Sequence, residues 1–97
     1  MATAIIGVDE LLSDIRSEME RIPAVLEVAY RIEDGLMSLW IGVPECEHLV
    51  RKSIYQVEDE LANRYSIPFE FHLVTLEHGE DLRRYVSTVM PIYRRAA

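Results

Sequence analysis

Glu70 and His72 stand two positions apart in a run, 68–76, whose members alternate along the chain as Phe69, Phe71, Leu73 and Thr75 against Glu70, His72, Val74 and Leu76. In an extended strand that spacing places both side chains on one face, where a carboxylate can hold an imidazole and the pair can exchange a proton. The same pairing occurs on any solvated strand face, so it assigns no reaction by itself. Cys46 and His48 form a Cys-x-His beside Glu45 and Glu47, donors that zinc accepts. On a helix, side chains two positions apart diverge by roughly 200°, and no second Cys or His pair completes a ligand set, so no metal is expected. As a nucleophile, Cys46 would need a depressed pKa; a helix N-terminus favours that, whereas burial and two adjacent glutamates oppose it. His78 falls in a loop and is expected to be solvated. The chain has no glycine-rich phosphate loop, no Gly-x-Ser-x-Gly and no His-Glu-x-x-His. No catalytic residue, metal or cofactor is assigned.

The single tryptophan is the informative residue for binding. Residues 24–43 read as two strands folded across Asp34-Gly35, because a tight I′ turn needs positive φ at both central positions. Pairing outward from the turn sets Ile32 opposite Met37, Tyr30 opposite Leu39, Val28 opposite Ile41 and Leu26 opposite Val43, all on one apolar face. A slip of one residue would send the two apolar sets to opposite faces, so the register is fixed. Trp40 then lies on the other face with Ala29 across from it and Ser38 and Gly42 beside it, and with His72, Val74 and Leu76 of the later strand sharing that face. An indole among aliphatic and small side chains on an open sheet face marks an interface or a lid. The lid is the C-terminal segment, burying Leu82, Tyr85, Val86 and Val89 against Trp40; the interface is a second subunit or another protein. Arg31 and Glu27 are read as rim charges. Tyr55, off the buried stripe of its helix, is a further contact candidate.

Two helices and a last strand must position these residues. Ile5, Val8, Leu12, Ile15, Met19 and Ile22, with Leu11 beside them, follow helical spacing, predicting a helix that starts near Gly7 to Asp9 and ends before Pro23. Residues 3–6 admit a second reading as a short strand. Pro44 opens a second helix whose stripe is Cys46, Leu49, Val50, Ser53, Ile54, Val57 and Leu61, with Glu60 and Arg64 as an i, i+4 pair. It ends by Pro68. The strand that follows is expected to run parallel to the second hairpin strand and to pair with the first. Residues 77–97 carry a short helix with Leu82, Tyr85, Val86 and Val89 on its stripe, stopped by Pro91. The fold expected is an α+β two-layer sandwich in αββαβα order, ferredoxin-like if residues 3–6 form an extra strand. Its sheet is mainly antiparallel and its two main helices cover one face.

At 97 residues there is room for one domain, residues 1–97, burying about 60–65% of the surface of its unfolded chain. Hydrophobic residues make up 49% and the net charge is −7, which suits a folded domain and opposes binding to nucleic acid or to an anionic membrane. The single cysteine fits a reducing cytoplasm, and no run approaches the ~20 apolar residues of a membrane span.

The order helix, hairpin, helix, strand over residues 8–76 is similar to that of the cytoplasmic domains of cation-efflux transporters and of other small ferredoxin-like regulatory domains. The resemblance lies in element order, without the membrane helices or metal-binding histidines of the transporters. A KH domain would need a Gly-x-x-Gly loop, and an RNA-recognition module sheet-face aromatics in a basic setting; neither is present. The reading is a noncatalytic interaction or regulatory module, homodimeric, with itself or another protein as partner. Its alternatives are a small-ligand site between sheet and tail around Trp40, Tyr85 and His72, and a small hydrolase or isomerase using Glu70 and His72.

Overall fold

The computed structural model describes residues 3–45 and 47–95, with side chains from Gly7 onward. Cys46, to which a nucleophile or metal role was open, lies outside the described residues. Two helices, α1 (Thr3–Glu20) and α2 (His48–Arg64), cover one face of a sheet built from β1 (Glu27–Glu33), β2 (Leu36–Val43), β3 (Phe69–Thr75) and β4 (Met90–Arg94). A 3-10 helix, Leu82–Arg84, precedes β4.

The hairpin forms because Asp34 and Gly35 take φ values of 53° and 80°, as the turn requires. Val28 pairs with Ile41, Tyr30 with Leu39 and Ile32 with Met37, the expected register. Pairing stops at Glu27 and Gly42, so Leu26 precedes β1 and donates its N–H to Gly42 O at 2.9 Å. Ile32, at the turn end of the apolar face, is exposed. Leu11, Ile15 and Met19 of α1 and Ile54, Val57 and Leu61 of α2 pack on Val28, Met37, Leu39, Ile41, Val43 and Phe71 to form the main core.

Several expectations change. Residues 3–6 belong to α1, so the extra strand that a ferredoxin-like order required is absent there, and the helix begins earlier than Gly7. In sequence, Ile5 continues the phase of Val8 and Leu12, and a helix extends cheaply once nucleated. α2 begins at His48 rather than at Pro44, leaving Leu49 73% exposed; its buried line is Val50, Ile54, Val57 and Leu61. Arg64 passes over Glu60 and binds Asp14 of α1 at 3.1 Å, and Tyr65 donates its hydroxyl to the same carboxylate.

The sheet order is β3-β2-β1-β4, so β3 pairs in parallel with β2 and not with β1. The reason lies at the end of the chain. The expected C-terminal helix is one 3-10 turn followed by β4, which lies antiparallel to β1 and fills that edge. Pro91 stops a helix but is tolerated at the sheet edge, and a bulge at Val28/Ala29 absorbs the irregularity. Arg95 fastens this end: its guanidinium donates to the carbonyls of Val25 at 3.0 Å, Ile22 at 3.1 Å and Glu20 at 3.3 Å, tying it to the end of α1 and the turn that follows.

The second sheet face has its own small core of Ala29, Leu76 and Leu82, with Trp40, Val74 and Val89 packed against it. It depends on Gly42. A methyl group at that position would stand 2.4 Å from Leu76 Cδ1 and 3.5 Å from Leu82 Cδ2, and both leucines are fully enclosed.

Two stability measurements follow. Gly42→Ala should destabilise the fold by about 1–3 kcal/mol, read as a lower urea midpoint, because neither leucine has space to retreat. The hydrogen bond to Asp14, with burial and the Asp14 charge adding to it, raises the Tyr65 pKa above its ordinary 10.0. Its contribution is complete below pH 10 and is lost as pH rises through the folded value. Alkaline unfolding of Tyr65→Phe should therefore lack that component; an unchanged alkaline limb would remove the assignment.

Candidate functional site

Beside the tail, the open sheet face carries a row of four side chains on three strands. Trp40 stands on β2. His72 is its direct partner on β3, and the two rings stack at 5.4 Å between centroids and 23° between planes. Arg31, diagonal to Trp40 on β1, holds its guanidinium carbon 5.1 Å from the indole centroid. β1 and β3 flank β2 on opposite sides, so the two residues in contact with the indole come from its two neighbouring strands. Contacts from both strands restrict the ring's torsions before any partner arrives.

Hydrogen bonds fix the flanking residues in turn. His72 Nε2 lies 3.0 Å from Glu70 Oε1. Arg31 donates to Ser87 O at 3.3 Å and has Glu33 Oε2 at 3.5 Å from its Nε. The row therefore runs from Arg31 on β1 to Glu70 on β3. Both members of the Glu70–His72 pair are nearly half exposed, and one face of the imidazole is committed to the indole. That arrangement orients Trp40.

The tail borders this row and touches it: Trp40 is partly buried on the cluster that contains Leu82, and Arg31 bonds Ser87. Leu82 is fully buried on Ala29 and Leu76, and its N–H donates to Glu27 Oε1 at 2.9 Å, so Glu27 anchors the tail where a rim charge was expected. Val89 packs in the same cluster. Tyr85 turns away: it is 50% exposed and donates to Glu80 Oε1 at 2.7 Å. Glu80 also accepts from Glu77 N at 2.8 Å and pairs with Arg84 at 2.6 Å, which ties the turn to the 3-10 helix. Trp40, Ala29, His72, Val74 and Leu76 thus share one face as expected, while Tyr85 is separate from them and Tyr55 is exposed on α2. His48 and His78 are exposed, and among the described residues no group of three metal-binding side chains forms. No described helix is long and apolar enough to cross a membrane.

Two clefts lie away from the row. One of about 710 Å³ separates Leu26 and Leu76 from Glu45 and His78. Another, of about 640 Å³, lies between Val8, Gly35 and Tyr65. A third, of about 260 Å³, opens between sheet and tail at Glu27, Ala29, Arg83, Val89, Pro91 and Arg94. None of the three is lined by Trp40 or Tyr85. Sequence reading missed Glu80 and Glu27 as the residues that seat the tail; Glu80, five residues before Tyr85, carried no signal without the turn between them.

The Tyr85 hydroxyl, then the Glu77 N–H, holds the Glu80 carboxyl below its ordinary 4.5, and Arg84 assists against desolvation. This contribution is present above that value and is lost as pH falls through the lower folded one. A carboxyl-carbon NMR titration should place the Glu80 midpoint below 4.5, and Tyr85→Phe should move it up; a midpoint that Tyr85→Phe leaves in place would dissociate the two.

Comparison of the chain with protein-family models finds no match, and comparison with curated proteins finds none either.

Proposed function

We propose that this protein is a noncatalytic interaction module that works as a homodimer, with the Trp40 row of one copy seated on that of a second. The observation that carries this reading is the indole held in contact with both Arg31 and His72, with Arg31 at one end of the row and Glu70 at the other. A two-fold axis through such a row sets Arg31 of each copy against the partner's Glu70, which makes the surface self-complementary. A rigid aromatic ringed by polar side chains is also the usual composition of an interface hot spot, since little side-chain freedom remains to be lost on docking. The chain's net charge of −7 opposes close approach of two copies, so the dimer should tighten as salt rises, until screening weakens the Arg31–Glu70 pairs as well. The lone Cys46 favours a reducing, cytoplasmic setting.

A second reading, a small-molecule site between sheet and tail, is supported by the cleft at Arg83 and Arg94. At about 260 Å³ it lies just below the usual ~300–1,000 Å³ of ligand pockets.

Sedimentation equilibrium from micromolar to millimolar concentration tests the dimer. Trp40→Ser should weaken it by about 2 kcal/mol or more, roughly thirtyfold in Kd, with circular dichroism unchanged. Arg31→Glu and Glu70→Arg should each weaken it, and the double exchange should restore much of the loss. A monomer at every concentration would exclude the homodimer. A dimer indifferent to Trp40→Ser would move the interface elsewhere.

A further inference from the structure

β3 is the last strand in the sheet on one side. Its even-numbered backbone groups face β2: Met37 N donates to Pro68 O at 3.1 Å, and Leu76 N donates to Val43 O at 2.7 Å. The odd-numbered residues Phe69, Phe71, Leu73 and Thr75 therefore turn their N–H and C=O groups to the outer edge. One of these donors is occupied from outside the sheet. Glu58 of α2 accepts the N–H of Phe71 at 2.8 Å, near the middle of the strand. A carboxylate placed on an edge donor blocks an incoming strand sterically and by repelling its carbonyls.

We propose that the β3 edge is a second self-association surface that Glu58 latches shut, and that its occupant when the latch opens is the β3 strand of another copy. The match is specific to an antiparallel pairing with Phe71 at the two-fold axis. In that register Phe71 exchanges backbone hydrogen bonds with the partner's Phe71, and Phe69 does so with the partner's Leu73. Glu70 then falls opposite the partner's His72, and His72 opposite the partner's Glu70, in the non-hydrogen-bonded positions where side chains come closest. The helix-side face joins Phe69, Phe71 and Leu73 to the same apolar set. On the other face, carboxylate meets imidazole instead of its like. Tyr55, exposed on α2 three residues before Glu58, lies on the flank of the helix that this pairing brings beside its counterpart. The two copies would share one continuous sheet. This surface is the backbone edge of β3 and not the open face, although Glu70 and His72 border both.

The test is carried out in a Trp40→Ser background, which separates it from association through the open face. Sedimentation equilibrium of Trp40→Ser is compared with that of Trp40→Ser/Glu58→Ala, and Leu73→Pro is then added. Leu73 turns its N–H outward, so proline there removes an edge donor and no bond to β2. Freeing the Phe71 donor in both copies should lower the dimer Kd by about thirtyfold, the equivalent of two net hydrogen bonds, and Leu73→Pro should cancel the gain. Glu58→Gln, which keeps an acceptor oxygen in reach, should stay latched. Amide exchange supplies an independent readout: in the unlatched variant, Phe69, Phe71 and Leu73 should become protected as concentration rises. An unlatched variant that associates no more than its parent overturns the proposal, as does a gain that survives Leu73→Pro.

Discussion

The absence of a side chain at position 42 decides what can cover the open face of the sheet. With a hydrogen there, Leu76 lies directly on the backbone of β2, and Leu82 follows it into the same depression. Ala29 provides the matching low point on β1. Because Leu82 is seated, Glu27 can accept its N–H, Glu80 can close the turn before it, and the chain emerges aligned with the free edge of β1. β4 and the Arg95 contacts with the end of α1 then follow from that alignment. The second core is small, but it directs the last part of the chain.

That covering is also selective. It buries Leu76 and Ala29, holds Trp40 and Val74 partly buried, and leaves Arg31, His72 and Glu70 at the surface. The exposed remainder is therefore suited to specific contact, since unpaired apolar area that would promote indiscriminate association has been withdrawn. Glu58 performs a comparable service at the β3 edge, where a backbone donor is the exposed group. Face and edge are thus controlled by different devices, one apolar and one ionic.

The parts legible in the sequence are those specified by local pattern. The Asp34-Gly35 turn, the hairpin register and the two amphipathic helices each depend on residues close in the chain, and their side-chain periods name the buried face directly. The position of Trp40 across from Ala29, on the face that His72 shares, followed from the same alternation, whereas its direct pairing with His72 did not, because β3 was expected beside β1. Strand order was not legible, because it turned on whether residues 90–94 would take the edge of β1. Met90-Pro91-Ile92-Tyr93 contains a helix breaker and no clean alternation, and its extended form is settled by the partner strand instead of by its own preferences. For the same reason Tyr85 was misplaced. It was read on a helical stripe, whereas the single 3-10 turn points it toward Glu80. The exposure of Leu49 reflects a helix that starts at His48, beyond its proline, a boundary that propensity alone defines poorly.

The pairing of β1 with β4 has a kinetic consequence. Arg95 reaches carbonyls as far as 75 residues away, and β1 acquires its second neighbour only when residues 90–94 arrive. During synthesis the hairpin, α2 and β3 can assemble as a unit while the outer edge of β1 and the hollow at Ala29 and Gly42 stay open. An inner strand of the finished sheet is thus left half-paired longest on the ribosome, and closing so long a loop is a slow step.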